Sequence, residues 1–252
     1  MKIYPRMTEW SEARRAVGFP GRRVGFVPTM GALHAGHRAL LERARAECDF
    51  VVLSIFVNPT QFNDAGDLAR YPRTLDADLA LVGDLVDAVI TPTEKELYPD
   101  GYNYRVTEIA LSRELEGVHR PGHFDGVLTV VLKLLNLVQP HRSYFGEKDW
   151  QQLHLIQGLA AAFFLPGEII PCPTVRDPDG LALSSRNRRL SPEGRVQATL
   201  FPWILENSAD AGAAAGALKA AGFAVDYVAD RDGVRLGAIY LEGVRLIDNV
   251  RL

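Results

Sequence analysis

RVGFVPTMGALHAGHRALLERARAE, residues 23–47, carries three signals in one run. RVGFVP (23–28) is a short apolar run of the kind that forms a buried strand. The next residues make a turn containing Gly31 and Gly36. From about 36 to 47, Leu40, Leu41 and Ala44 recur on one side of a helix. The same alternation repeats outward. FVVLSIFV (50–57) is a continuous apolar run, as expected of a strand covered on both faces. Residues 73–84 read as a helix and VDAVI (86–90) as a third strand. Residues 123–138 place Val127, Val130, Val131, Leu134 and Val138 at helical spacing. SYFG (143–146) reads as a strand ending in a turn, 149–163 as a helix and GEIIPCPTV (167–175) as another strand. Strands alternating with helices predict an α/β fold with a Rossmann-like parallel sheet over residues 1–175. Ligands of such sheets bind beyond the carboxyl ends of the strands.

The pattern changes after Val175, where VRDPDGLALSSRNRRLSPEG is polar and rich in turn residues. It predicts a loop or hinge before a helix over 191–206, with Ser191 as N-cap and Pro192 at the first helical position. A second helix over 209–221 follows. AVDYVAD (224–230) and VRLID (244–248) then predict a small sheet, giving a smaller α+β C-terminal domain over 176–252.

Composition excludes several classes. The chain has 252 residues, 47% hydrophobic and 23% charged, which suits a filled core and argues against disorder. A formal net charge of -3 gives no positive field for nucleic acid. Cys48 and Cys172 belong to no CxxC pair and are expected to be buried spectator thiols. No apolar run is long enough to span a bilayer, and the polar N-terminus is no secretory signal, so the cytoplasm is the expected location.

PTMGALHAGH (28–37) is the most informative stretch. Glycines let the backbone approach a ligand, and the first N–H groups of a helix suit phosphate. His34 and His37, three apart, lie on one side of that turn and can donate to phosphate oxygens. Alone, the pair is as readily two polar histidines on an ordinary loop; no third ligand supports zinc. In FGEKDWQQ (145–152), Gly146 ends a strand and Lys148 can reach a phosphate or the carboxylate attacking it. Asp149 can hold a ribose or help place Mg2+, and Gln152 can bind an acid substrate. LSSRN (183–187) offers Arg186 for the β- and γ-phosphates with two hydroxyls beside it. In FVNPTQF (56–62), Asn58 and Gln61 are uncharged hydrogen-bonding groups suited to a small hydroxy acid. Each of the last three is, taken alone, an ordinary surface turn or loop.

His34-Ala35-Gly36-His37 resembles the HxGH signature of the nucleotidyltransferase superfamily, and the longer PTMGALHAGH resembles the pantothenate synthetase family. LSSRN resembles that superfamily's mobile KMSKS-type loop, with Leu183 where the family usually has methionine. HRPGHFDG (119–126) and YPRTLDAD (71–78) also match. The resemblance runs from about residue 20 to 190 and weakens in the last sixty, where the segment before RLIDN (245–249) looks shortened.

The resemblance implies joining of pantoate to β-alanine with ATP, through a pantoyl-adenylate. It implies nucleotide contacts from Met30, Gly31, Ala32, Leu33, His34, Ala35, Gly36, His37, Gly146, Glu147, Lys148, Asp149, Leu183, Ser184, Ser185 and Arg186, and from the backbone of Val175. His34, His37, Lys148 and Arg186 would be catalytic. Gln61, Gln152 and Asn58 would bind substrate, and Arg120 would shape the wall or dock the amine's carboxylate. Asp76 and Asp78 are either acids that support the magnesium from behind its ligands or solvated first-turn acids, the latter being the simpler assignment. Mg2+ held mainly by the ATP phosphates, and a homodimer formed through the N-terminal domain, are implied as well. The rivals are a transferase that leaves the nucleotide on its product, a nucleotide-sensing module without turnover, and an RNA-binding fragment, which the acidic charge opposes.

Overall fold

The structure, a computed structural model, describes residues 1–17 and 21–252. Among these residues one sheet has six parallel strands: β1 (Lys2–Tyr4), β2 (Val24–Thr29), β3 (Phe50–Ile55), β4 (Ala88–Ile90), β5 (Arg142–Gly146) and β6 (Glu168–Cys172). Their spatial order is β1-β4-β3-β2-β5-β6. The strand order reverses between β2 and β5, so that is where a ligand crevice is expected. Pairing of β2 with β5 covers only Gly25 and Phe26; beyond it comes Pro28, which has no N–H to give a ladder.

Alternate residues of each strand feed separate cores, which is why the strands read as unbroken apolar runs. On one face Phe26, Val52, Ile90 and Phe145 pack with Val127, Val131, Leu134 and Val138 of the helix His123–Val138, and with Ile156 of the helix Trp150–Ala162. On the other, Val27, Leu53, Val89 and Tyr144 pack with Leu41 and Ala44 of the helix Ala35–Glu47 and with Val82 of the helix Leu75–Val82. β1 and the helix Met7–Val17 were not foreseen. They attach through the pairing of β1 with β4 and through Trp10, buried with its ring N–H donating to the Leu137 carbonyl at 3.0 Å. Cys48 and Cys172 are free and buried, as expected.

Contacts divide the chain after Cys172 into two compact units. The second comprises Pro173–Leu252 together with two short segments, His34–Gly36 and Glu147–Trp150. Its antiparallel sheet has three strands, β7 (Ala224–Arg231), β8 (Val234–Leu241) and β9 (Val244–Arg251), in that order. The middle strand was missed from sequence, although Asp232-Gly233 and Glu242-Gly243 mark both hairpins with two successive positive φ angles. The expected single helix over 191–206 is two, Pro192–Gln197 and Leu200–Asn207. Pro202 accounts for the break, because its ring meets the carbonyl four residues back, at Ala198. Phe201, Leu205, Ala214, Leu218, Ile239 and Leu246 form this unit's core. No helix among the described residues is long and apolar enough to cross a membrane.

Candidate active site

The turn after β2 is held from below by a carboxylate. Gly31 (φ 79°) and Ala32 (φ 52°) bring the chain round in the left-handed region. The buried Asp78 accepts the backbone N–H of Ala32 at 3.0 Å and of Leu33 at 2.8 Å, and the Thr74 hydroxyl at 3.1 Å. A Cβ on Gly31 would stand 3.1 Å from both an Asp78 oxygen and Ile55, so glycine fits both the angle and the space. Asp78 is therefore neither a solvated first-turn acid nor a group turned toward a metal: it organises the turn. Asp76 is exposed, as a solvated acid would be.

His34 is the residue before the helix Ala35–Glu47 and serves as its cap. Its Nδ1 accepts the Gly36 N–H at 3.1 Å, a task usually given to Ser, Thr, Asp or Asn. A backbone N–H can only donate, so Nδ1 is bare and the ring proton lies on Nε2. Burial pushes the His34 pKa down to about 4, and the nearby charges of Lys148 and Arg188 push the same way against Asp177. At neutral pH His34 is thus a neutral imidazole whose ring proton sits on Nε2. A Cβ on Gly36 would stand 2.9 Å from the His34 ring and 3.8 Å from Leu183. Met30 and His37 are half-buried, and Ala35 is exposed at the helix start. That first turn carries no acidic residue, which leaves its positive end uncompensated.

Within the second unit, His34–Gly36 thus lies near Lys148 and near the loop that carries Leu183 and Arg188, the other two stretches expected from sequence to meet phosphate. Glu147–Asp149 is a 3-10 turn that opens the helix Trp150–Ala162; Lys148 is half-buried and Asp149 exposed. The Ser184 hydroxyl caps a second 3-10 turn, Ser185–Arg189, by accepting the Arg186 N–H at 3.2 Å. The Val175 carbonyl accepts the Leu183 N–H at 3.0 Å, so the two ends of that loop are tied together.

In the first unit a second cluster surrounds Gln61. Asn58 is buried and its hydrogen-bonding capacity is filled by the protein. It donates to Gln61 Oε1 (3.0 Å) and the Gly126 carbonyl (3.2 Å), and accepts from the hydroxyls of Tyr98 (2.7 Å) and Thr60 (3.0 Å). Arg120 donates to the Gln61 carbonyl at 3.3 Å, and His123 Nδ1 meets the same oxygen at 2.8 Å. Arg120 thus anchors the turn that carries Gln61. With its oxygen held by Asn58, what Gln61 has left to offer a ligand is the NH2 group, a donor. Tyr98 was missed as a member of this cluster, and nothing local in the sequence marks it; His123 lies in the HRPGHFDG segment noted for its resemblance, but no role was assigned to it there. Gln152 is half-buried in the first turn of its helix, whereas Gln151 is spent on the Glu116 N–H and the carbonyls of Leu111 and Glu114.

Residues 2–251 match the family model described as Pantoate-beta-alanine ligase. A pantothenate synthetase of Bdellovibrio bacteriovorus is 57% identical over 230 residues, covering 91% of this chain and 92% of the relative. One from Legionella pneumophila (strain Corby) is 49% identical, covering 100% of each. Among solved structures, the Francisella tularensis pantoate-beta-alanine ligase complexed with beta-gamma ATP and beta-alanine superimposes with a TM-score of 0.94. It is 41% identical and covers 100% of this chain and 97% of its own. The Thermus thermophilus pantothenate synthetase gives 0.90 at 41% identity, with 100% and 99% covered. The Legionella relative is matched along its whole length, so the chain as a whole is not shortened relative to it.

Proposed function

The chain belongs to the pantoate-beta-alanine ligase family, a ligase joining pantoate to β-alanine, and we propose that it does so with ATP through a pantoyl-adenylate. The observation that carries this reading is the neutral His34, its Nε2 proton fixed as a donor among the cations of the second unit. The beta-gamma ATP and beta-alanine with which the Francisella relative is complexed support the nucleotide and the amine.

In the first step a pantoate carboxylate oxygen bonds to the α-phosphorus of ATP. The bond from that phosphorus to the bridging oxygen breaks, and pyrophosphate leaves with the electron pair. His34 Nε2–H, His37, Lys148 and Arg186 take the charge developing on the phosphates. In the second step the β-alanine nitrogen bonds to the acyl carbon, the acyl–oxygen bond breaks, AMP leaves and the nitrogen gives up its proton. Gln61 and Gln152 orient the hydroxy acid, with Gln61 acting as a donor. Asn58 and Arg120 hold Gln61 in place. The remaining turn and loop residues, from Met30 to Gly36, from Gly146 to Asp149, and Val175 with Leu183, Ser184 and Ser185, line the nucleotide.

Magnesium fits as an ion carried by the triphosphate, since that ion favours phosphate oxygens with few protein carboxylates. Among the described residues no group of three His, Cys, Asp or Glu side chains is placed to hold a metal. Bound there, it would neutralise phosphate charge. A cytoplasmic homodimer completes the proposal, supported by the family resemblance.

Pantoate-dependent exchange of labelled pyrophosphate into ATP, with β-alanine omitted, tests the route. Exchange is expected, because the first step is reversible without the amine. A protein that forms pantothenate yet shows no exchange contradicts the adenylate.

A further inference from the structure

A carboxamide on the last strand of the second unit reaches the turn that carries Lys148. Asn249, half-buried on β9, donates its two amide hydrogens to two successive carbonyls, those of Glu147 and Lys148, each at 2.9 Å. These carbonyls belong to the two peptide planes on either side of the Lys148 Cα. Fixing both planes fixes φ and ψ at Lys148, and so the direction in which its side chain leaves the backbone. A tie to one carbonyl would leave the other plane free to turn.

Asn249 is itself braced. Arg176 pairs with the buried Asp248 through two contacts, at 2.8 and 2.9 Å, and donates to the Asn249 carbonyl at 2.9 Å. A bidentate pair of this kind sets geometry as well as attraction. Asp248 in turn accepts the Asn249 backbone N–H at 2.8 Å. The same guanidinium donates to the Gly180 carbonyl at 3.0 Å, so the loop leading to Arg186 shares the brace.

We infer that Asn249 is a positioning residue for Lys148, acting through the two carbonyls that flank it. The inference rests on the reading that Lys148 meets the triphosphate. Asn249 touches no reacting atom, and its effect must pass through the lysine.

The test is a double-mutant cycle on pantothenate formation by the whole chain, with thermal melts as a check on folding. Asn249→Ala is expected to lower kcat by about 10- to 100-fold, the range for a misaimed but present group, with KM for β-alanine nearly unchanged. Lys148→Ala is expected to lose more. The double variant is expected to be no slower than Lys148→Ala alone, because a positioning residue has nothing left to position. A purely structural strut would give additive losses, and that result overturns the inference. Full kcat in Asn249→Ala beside an impaired Lys148→Ala overturns it too, while sparing the reading of Lys148. Full kcat in Lys148→Ala removes both. Should Asn249→Ala melt below the assay temperature, Asn249→Asp takes its place in the cycle. It keeps the shape but sets lone pairs against the two carbonyls, and its kcat is expected to recover only in part as pH falls, because the protonated carboxyl has one hydrogen to donate where the amide had two. A pH-independent, wild-type kcat in Asn249→Asp likewise overturns the inference.

Discussion

Asp78→Asn is the most exposing change available at the turn after β2. The native carboxylate is buried and accepts two backbone N–H groups and one hydroxyl. Hydrogen bonds to a charged acceptor contribute about 1.5–3 kcal/mol each, and a buried N–H left without a partner costs about 1–3 kcal/mol. Asparagine keeps one oxygen and turns an NH2 against the other N–H, so one bond is lost and two donors oppose each other. The cost comes to about 2–4 kcal/mol, a large fraction of a stability of about 5–15 kcal/mol. It falls on a turn already holding Ala32 at φ 52°. Urea unfolding followed by tryptophan fluorescence should show the midpoint lowered by about 1 M, given slopes of about 1–3 kcal/mol per molar. Pyrophosphate exchange at 25 °C should fall at least tenfold, since the turn that leads into His34 and His37 loses the carboxylate that shapes it. Asp78→Asn with an unmoved midpoint and full exchange would refute the idea that this carboxylate organises the turn.

Three further outcomes are expected. The His34 imidazole should titrate by NMR with a midpoint of about 4 rather than 6.5, and Lys148→Met should raise it by removing a neighbouring positive charge. Because the folded midpoint lies below the unfolded one, the unfolded chain binds the extra proton first: His34 favours the fold fully above pH 6.5, and that contribution is lost as pH falls toward 4. Gly126→Ala should destabilise by about 2 kcal/mol or more in thermal or urea unfolding, since its Cβ would lie 2.5 Å from the Thr60 carbonyl and force helix and turn apart. His37→Ala and Lys148→Ala should each slow pyrophosphate release by a factor of about 100 or more with melting temperature retained, and wild-type rates in both would remove their assignment.

The parallel sheet was legible because both of its faces are covered, which turns 23–28 and 50–57 into unbroken apolar runs. The helix His123–Val138 was legible residue for residue, since its buried side keeps helical spacing throughout. β8 was hidden by its own contents. It carries Arg235, buried against Asp230 and the carbonyls of Leu205 and Ser208, and Gly237, whose missing side chain admits Phe201. Both residues break the apolar pattern of a strand, yet the dipeptides Asp232-Gly233 and Glu242-Gly243 announced the hairpins. The break at Ala198 was readable from Pro202. The motifs of the candidate site were readable as residue types, and so was the nearness of the histidine turn to the LSSRN loop, met here at Gly36 and Leu183. What tunes them was not. A carboxylate in a helix's first turn looks the same whether it is solvated or serves amides 45 and 46 positions away. Likewise, a histidine before a helix does not advertise that its ring caps it.

Lys148 and the amide that ties its turn lie 101 positions apart. On the ribosome, at about 5–20 residues per second, the lysine emerges about 5–20 s before that amide is made. All six parallel strands are complete by then, and the sheet can assemble, but the lysine still lacks its aim. A chain made through β6 can therefore hold a folded sheet while the proposed grip on nucleotide is unfinished, and competence is expected to arrive with the final hairpin.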